Sequence, residues 1–279
     1  MTFRRFLTSS CHLARLTVDA YCSDIRHFQT VVGHTNLPTR DAIIHFMTTL
    51  HHNGFTTAST RRKLSAVKLY CHYRATQSQQ PMPEWDRLFT PRRALQLPRL
   101  MTTDALQNAL DYTFPNHPKA ARNRLIVGLL FYAGCRVSEV VHLRVQQGSD
   151  DYVTIDGKGQ RQRMVPLAAP LQQRFRDYEA SRTRGTSPWM FPSGSGARPI
   201  SRQTVTHMIQ HLTKACGIQE RITPHMFRHM FATNLMEKGL DIRDIQWLLG
   251  HASIQTTQMY THLDTRALKR TFNRYHPLS

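Results

Sequence analysis

The sequence predicts a mainly α fold with a small β-sheet (α+β), divided between two domains. Apolar residues recur every three or four positions along most of the chain, one central segment alternates about a glycine turn, and prolines interrupt both patterns between residues 78 and 100. The first pattern is typical of amphipathic helices and the second of a β-hairpin. A chain of 279 residues is also long enough for two domains, each with its own core.

Residues from Thr17 to about Gln77 have the periodicity of helices separated by short polar breaks. The segment TVDAYCSDIRHF carries one apolar stripe, made of Val18, Tyr21, Ile25 and Phe28. The next helix is expected to begin after a Thr39 cap and to stop before Asn53-Gly54. We therefore predict a helical first domain over residues 1–80.

A third helix of this domain, STRRKLSAVKLYCHYR, is strongly basic. Its apolar face is predicted to contain Leu64, Val67 and Cys71, and the positive charges occupy the rest of the surface. The residues singled out as candidate contacts to a polyanion are Arg61, Arg62, Lys63 and Lys68. A solvated face and a binding face remain equally good interpretations of this charge.

The stretch 78–100 contains four prolines and no sustained period, which predicts a linker over residues 81–100 and a second domain over 101–279. In that domain, Thr102 or Thr103 is expected to cap a helix that runs through Leu110. A strongly apolar helix then ends at Gly134. The segment DYVTIDGKGQRQRMVPL predicts a hairpin that turns at Asp156-Gly157, and helices resume from Pro170 around a loop at 184–199.

The charge is the unusual property of the composition: 37 Lys and Arg against 18 Asp and Glu give a net charge of +19. Residues 1–100 have 14 basic and 5 acidic residues (+9), and residues 101–279 have 23 and 13 (+10). Such an excess in both halves indicates a polyanionic partner, most commonly nucleic acid.

The five cysteines are scattered and form no C-x-x-C pair, which argues against a disulfide framework or a zinc ribbon. No stretch approaches the roughly 20 apolar residues of a membrane span. The initial Arg pair is not followed by the apolar run of a signal peptide. We therefore expect a cytoplasmic protein.

Several cationic residues of the second domain lie at positions that a purely structural role does not readily explain. Arg136 stands at the start of a helix, where a cation opposes the helix dipole unless an anion is near, although a surface pair with Glu139 remains an alternative. Lys158 lies between two glycines at the hairpin turn, where most lysines only face solvent.

The segment TPHMFRHMFATNL places His225, Arg228 and His229 on neighbouring positions of one helix. Zinc binding by the two histidines is the weaker interpretation, because the glutamate of the H-E-x-x-H motif is absent. Further on, Gly250 is expected to end a helix and so to aim His251, and Tyr260 follows nine residues later.

These residue types fit attack on a phosphodiester. Two arginine forks would stabilise the pentavalent transition state, and a tyrosine hydroxyl, with a free pKa near ~10, becomes a nucleophile when cations lower its pKa and a histidine takes its proton. A lysine can protonate the leaving alkoxide. No carboxylate cluster suggests a metal and no glycine-rich loop suggests a nucleotide, so we expect no cofactor and no metal.

The sequence resembles the tyrosine recombinase (lambda integrase) family, and most closely its Xer branch. The resemblance extends into the first domain through TVDAYCSDIRHF and STRRKLSAVKLYCHY. In the second domain it rests on AGCRVSEVVHLR, IDGKGQRQRMVPL, TPHMFRHMFATNLMEKG, IQWLLGHASIQTTQMYTHL and LKRTFNRYHP. It covers most of the chain, and the order and spacing of the motifs make it specific.

The resemblance implies that Tyr260 attacks DNA to form a 3′-phosphotyrosyl link and that Arg136 and Arg228 bind the scissile phosphate. Lys158 would protonate the departing 5′-oxygen, without metal or ATP. The residues implied to assist are His225 and His251, which would act in proton transfer and phosphate binding, with Glu139 and His229 supporting them from behind.

The resemblance also implies a helical SAM-like core-binding domain and a catalytic domain that close as a C-shaped clamp on duplex DNA. Four protomers, identical or shared with a second recombinase, would hold two specific sites and exchange strands through a Holliday junction, with a DNA translocase as a further partner. The tail from Leu268 to Pro277 would dock on a neighbouring protomer. The resemblance implies that the protein acts in replicon dimer resolution or in the integration or resolution of a mobile element.

Two other functions fit parts of the pattern. A type IB topoisomerase resembles the same Arg, Lys, Arg, His and Tyr set but relaxes any supercoiled DNA. A catalytically silent DNA-binding factor would share the charge without needing the tyrosine.

Overall fold

The computed structural model describes residues 2–34, 37–79, 101–115, 119–157, 162–182, 187–194, 196–220 and 222–250. The chain forms two compact units, Met1–Leu97 and Pro98–Ser279. The mainly α class with a small sheet is confirmed, and each unit has its own buried core. The predictions for Lys158, His251 and Tyr260, and for the linker and the tail, concern residues outside the described ranges.

The described part of the first unit is helical. Its elements are α1 (Phe3–Ser9), α2 (Arg15–Val32), α3 (Arg40–His52) and α4 (Thr57–Ser78). The Thr39 hydroxyl accepts from the Ala42 amide at 3.2 Å, so the predicted cap of α3 is confirmed. Helix α1 was not expected, because seven residues are too few to establish a periodic pattern.

Helix α2 packs against both α3 and α4 around large apolar side chains. The Phe28 and Phe46 rings meet edge to face with centroids 5.0 Å apart, and both side chains are fully buried. Val67 and Cys71 of α4 join this core as predicted, whereas Leu64 is only partly buried. The stripe expected on α2 is confirmed for Val18, Ile25 and Phe28.

The second unit contains more helices and the hairpin. In order, its described elements are α5 (Thr103–Asp111), α6 (Ala120–Tyr132), α7 (Val137–Val141), a 3-10 turn (Val145–Gln147), β1 (Tyr152–Asp156), β2 (Gln162–Pro166), α8 (Ala169–Ser181), α9 (Arg202–Ala215), α10 (Pro224–Glu237) and α11 (Ile242–Leu249). The Thr102 hydroxyl caps α5 by accepting from the Ala105 amide at 3.2 Å.

Helix α6 is the centre of this unit and packs against α8, α9 and α10. It is buried on all sides from Leu125 to Tyr132, as a helix that is apolar all round must be. Gly134 follows it with φ +56°, and a Cβ there would lie 2.4 Å from the Phe231 ring. Glycine is therefore required where the chain leaves α6 towards Arg136.

The two strands pair antiparallel, with Tyr152 opposite Pro166 and Ile155 opposite Arg163. The hairpin is confirmed, but its connection is longer than the tight turn expected at Asp156-Gly157, since β1 ends at Asp156 and β2 begins at Gln162. Among the described residues, no helix is both long and apolar enough to cross a membrane.

Candidate functional site

A buried carboxylate organises the cationic residues of the second unit. The side chain of Glu139 is 6 % exposed, and its oxygens accept hydrogen bonds from two arginines. Arg136 Nη1 donates to Oε1 at 2.7 Å, while Arg163 donates through Nη1 to Oε1 at 3.0 Å and through Nη2 to Oε2 at 2.8 Å. Arg228 Nη1 lies 3.9 Å from Oε2. We call these four residues the Glu139 cluster.

Arg136 is the exposed member of the cluster. It occupies the N-cap of α7, where its backbone amide donates to Glu139 Oε2 at 2.8 Å. The pair with Glu139 that the sequence allowed is therefore present. Nevertheless, 37 % of the Arg136 side chain remains exposed, so its guanidinium can still receive an anion from solvent.

Arg228 approaches the same region from α10 but is buried, with 4 % of the residue exposed. Its Nη1 donates to Gly134 O and its Nη2 to Leu249 O, each at 2.6 Å. Burial, followed by the charge of Arg136, lowers the pKa of Arg228 to about 10, which still keeps the guanidinium protonated at neutral pH. These two carbonyls fix the plane of the Arg228 guanidinium. The five N–H groups of a guanidinium suit the binding of phosphate oxygens.

The last carbonyls of α11 face this set of arginines. Leu248 O accepts from Arg163 Nε at 2.8 Å, Leu249 O accepts from Arg228, and Arg136 reaches Leu249 O and Gly250 O at 3.5 Å. Terminal helix carbonyls have no partner inside the helix and carry partial negative charge, so cations satisfy them well. Gly250 adopts φ +64° and ends the helix as predicted.

Arg163 was not among the residues expected at this site. It is 7 % exposed and shares the inward face of β2 with Val165. An arginine in register with buried apolar residues of an alternating strand was the available signal, because a buried guanidinium is costly unless its charge is paired and its N–H groups are hydrogen-bonded.

The electrostatics of the cluster favour binding of an anion. Burial acts to raise the pKa of Glu139, but the hydrogen bonds and charge of Arg163, with smaller contributions from Arg136, hold it below its usual range. Glu139 is thus ionised, and the four members sum to +2. Nearby, burial raises the pKa of the Cys135 thiol to about 12, which makes it a poor nucleophile.

His225 and His229 of α10 lie on either side of Arg228 in the sequence, and both are more exposed than Arg228. His225 is exposed and His229 is partly buried, although the sequence placed all three on one face. Partial desolvation by the surrounding atoms, then the charges of Arg228, His229 and Arg136, lower the pKa of His225, so its imidazole is neutral at pH 7 and able to accept a proton. In the described part of the chain, no three His, Cys, Asp or Glu side chains group as a metal site.

The candidate contact residues of α4 differ in their exposure to solvent. Lys68 is exposed and Arg61 partly exposed, as a binding face requires. Lys63 corrects the expectation: it is 7 % exposed, and its ammonium contacts Asp24 Oδ1 at 3.1 Å and His27 Nδ1 at 3.0 Å. Arg62 also pairs with Asp24, yet its side chain stays 44 % exposed. Lys63 is therefore a buried partner of Asp24 and does not lie on the exposed face of α4.

Comparison with known families matches residues 97–267 to the phage integrase family and residues 1–78 to the phage integrase N-terminal SAM-like domain. The chain belongs to the phage integrase family. The predicted resemblance to tyrosine recombinases of the Xer branch is thereby confirmed, since curated Xer proteins match over nearly the whole chain.

Two such relatives are the tyrosine recombinase XerD of Listeria monocytogenes serotype 4b, 30 % identical over 99 % of this chain and 97 % of that protein, and the tyrosine recombinase XerC of Xylella fastidiosa M23, 32 % identical over 99 % and 95 %. Among solved structures, a lambda integrase tetramer bound to a Holliday junction aligns with a TM-score of 0.71 and 18 % identity, covering 91 % of this chain and 73 % of the other. That likeness concerns the fold.

Proposed function

We propose that this phage integrase family member is a site-specific tyrosine recombinase that cuts and rejoins duplex DNA. The observation that carries the proposal is the Glu139 cluster: it holds the exposed guanidinium of Arg136 and the fork of Arg228 against the end of α11. The chain continues from there to His251, and Tyr260 follows nine residues later. Family membership over residues 97–267 supports the same assignment.

In the proposed reaction, the Tyr260 oxygen attacks the scissile phosphorus, and the bond from phosphorus to the 5′-oxygen breaks. Arg136 and Arg228 neutralise the charge that develops on the non-bridging oxygens. The product is a 3′-phosphotyrosyl ester and a free 5′-hydroxyl. A 5′-hydroxyl from the partner DNA then attacks this ester and releases the tyrosine.

Proton transfers accompany these steps. Lys158 would donate a proton to the departing 5′-oxygen, and His225, which the lowered pKa keeps neutral, would accept the tyrosine proton with help from His251. His229 and Glu139 would support these groups from behind. Because the ester conserves the energy of the phosphodiester bond, the cycle needs neither metal nor ATP.

Both units would contact DNA through positive charge, with Arg61, Arg62 and Lys68 as candidates on α4. The proposed division of labour is a core-binding domain over residues 1–80, a linker over 81–100 and a catalytic domain with an exchange tail over 101–279. We further propose a cytoplasmic tetramer on two DNA sites, formed by this chain alone or with a second recombinase and assisted by a DNA translocase. The lambda integrase tetramer on a Holliday junction supports this assembly by analogy of fold.

The test is to trap covalent protein–DNA adducts in cells that carry the native chain and to sequence the attached DNA. We expect adducts at one defined sequence, and none with the Tyr260→Phe control, which lacks only the nucleophilic oxygen. Adducts spread over unrelated sequences would instead favour a topoisomerase. Equal recombination by the Tyr260→Phe chain would favour a catalytically silent DNA-binding factor.

The recovered sequence also separates the two proposed biological roles. A site near a replication terminus would indicate resolution of replicon dimers. Sites at the ends of a transposable or phage-like segment would indicate integration or excision of a mobile element.

A further inference from the structure

Arg163 is a buried arginine on the inward face of β2. Its Nη1 and Nη2 donate side by side to the two carboxylate oxygens of Glu139, and its Nε donates to Leu248 O. This fork-to-fork geometry specifies orientation as well as attraction. The neighbouring Gly250 leaves room for it, because a Cβ at that position would lie 3.0 Å from Arg163 Nη1.

Through Glu139, the orientation set by Arg163 passes to Arg136. Glu139 Oε1 accepts from Arg163 and from Arg136 Nη1, while Oε2 accepts from Arg163 and from the Arg136 amide. These four bonds match the lone-pair capacity of a carboxylate. With Arg163 removed, Glu139 would keep hydrogen bonds only from Arg136, with Arg228 Nη1 3.9 Å away, and would draw on the guanidinium donors that the proposed reaction assigns to phosphate.

Arg163 also joins segments of the chain that carry separate parts of the proposed chemistry. Its strand begins at Gln162, four residues after Lys158 in the sequence, and its Nε bond holds the end of α11, two residues before His251. A fixed end of α11 determines where the chain leaves towards His251. One side chain thus connects β2, the Glu139–Arg136 pair of α7 and the end of α11.

We infer that Arg163 is a positioning residue for DNA cleavage, which sets Arg136 through Glu139 and sets the end of α11 directly. The inference rests on the proposed function. Arg163 itself does not need to touch DNA, since its guanidinium is committed to Glu139 and Leu248 O. Its removal should therefore slow the chemical step without weakening DNA binding in proportion.

The test compares Arg163→Met with a matched control, Arg174→Met. Arg174 is a partly buried arginine of this unit that donates to the main-chain Arg124 O and Leu110 O, and in the described residues no hydrogen bond or ion pair joins it to the Glu139 cluster. A nicked DNA duplex carrying the recovered site serves as the probe. Single-turnover adduct formation gives a rate constant and an amplitude, and fluorescence anisotropy gives the dissociation constant.

We expect Arg163→Met to lower the rate constant at saturating DNA by about 10- to 100-fold, the range found when supporting residues around a reactive centre are removed. The amplitude and the dissociation constant should stay near those of the wild type, and Arg163→Lys should recover part of the rate. Arg174→Met should keep the wild-type rate constant even if its folded fraction falls.

A wild-type rate in Arg163→Met, or an equal loss of rate in Arg174→Met, would overturn the inference while Tyr260-dependent adducts still uphold the proposed function. Should Arg163→Met not fold, the same criteria apply to Arg163→Lys, which keeps the charge but loses the fork. The absence of any adduct in the wild type would overturn the proposed function and, with it, this inference.

Discussion

Each unit of the molecule contains a buried carboxylate surrounded by cations, and the two clusters differ in how many guanidinium groups they gather. In the first unit, Asp24 is 2 % exposed and pairs with Lys63 and Arg62 between α2 and α4. In the second unit, Glu139 pairs with Arg163 and Arg136, and Arg228 stands close by. Both arrangements satisfy a carboxylate that would otherwise be costly to bury.

In the first cluster the Arg62 side chain stays 44 % exposed, whereas Lys63 is buried. The Lys63 ammonium contacts Asp24 and His27 and lies 5.2 Å from the centre of the Phe55 ring, so it is committed to the protein. The second cluster combines three arginines with one carboxylate among the described residues and exposes 37 % of the Arg136 side chain. Both clusters therefore carry more cations than anions and leave one arginine open to solvent, and the second differs because it gathers three guanidinium groups around one carboxylate.

The largest expected difference between the clusters comes from removing one cation from each. Arg136→Gln should slow adduct formation at saturating DNA on the order of 10³-fold, because a donor to the transition-state charge is lost. Lys63→Met should leave that rate constant unchanged, since its ammonium serves only the packing of α2 and α4. Single-turnover kinetics of both variants provide the measurement, and similar losses in both would erase the distinction between the clusters.

Removing the carboxylate should lower only stability in the first cluster, and both stability and the rate of adduct formation in the second. Asp24→Asn leaves Lys63 buried without its counter-ion and should lower the free energy of opening of α2 and α4 by about 3 kcal/mol. Hydrogen exchange of the full chain, followed by mass spectrometry of peptides from these helices, measures this loss. Glu139→Gln should weaken protection of α7 and β2 and also slow adduct formation.

A slower adduct rate in Asp24→Asn, once corrected for its folded fraction, would contradict this separation. So would a Glu139→Gln chain that lost protection but cleaved at the wild-type rate.

The smallest expected effect is a difference in how two histidines respond to acid. Burial and then the charge of Lys63, opposed by Asp24, lower the pKa of His27, whose Nδ1 neighbours the Lys63 ammonium. The unfolded chain therefore binds the proton first as the pH falls through about 6.5. Stability of the first unit should be complete above that pH and decrease as the pH falls towards the lowered folded pKa.

Hydrogen exchange of α2 between pH 8 and 5, corrected for intrinsic rates, follows this loss, and His27→Gln should reduce it. For His225 the same direction of pKa shift should appear in the cleavage rate, which falls only once the pH drops below the usual histidine range. Equal pH profiles of α2 protection in His27→Gln and the wild type would show that His27 does not control this dependence.

Local features of the sequence predicted much of the fold. The Thr39 and Thr102 caps, the apolar helix that ends at Gly134 and the alternation of the hairpin are each encoded within one or two turns of chain, and all are present. The pair of Arg136 with Glu139 could be anticipated for the same reason, since three residues separate them on one short helix.

The partners of Lys63 and Arg163 could not be anticipated in this way. Lys63 meets Asp24 across 39 positions of the chain, and Arg163 meets Glu139 across 24. A charge run on α4 looks the same in the sequence whether a carboxylate faces it or solvent does. The alternation of β2 marked position 163 as buried, but only packing against α7 and α11 showed what a guanidinium could contact there.

The sequence by itself determined most of the helices, the hairpin, the family and the identity of the residues proposed for chemistry, because periodicity, caps and motif spacing are local properties of the chain. Only the tertiary structure decided which of the positive charges are buried and which remain available. That decision depends on distant segments meeting in a low-dielectric interior, where a charge must find its partner or stay at the surface. As a result, Lys63 is buried, Arg136 remains exposed, and Arg163 lies between Glu139 and the end of α11.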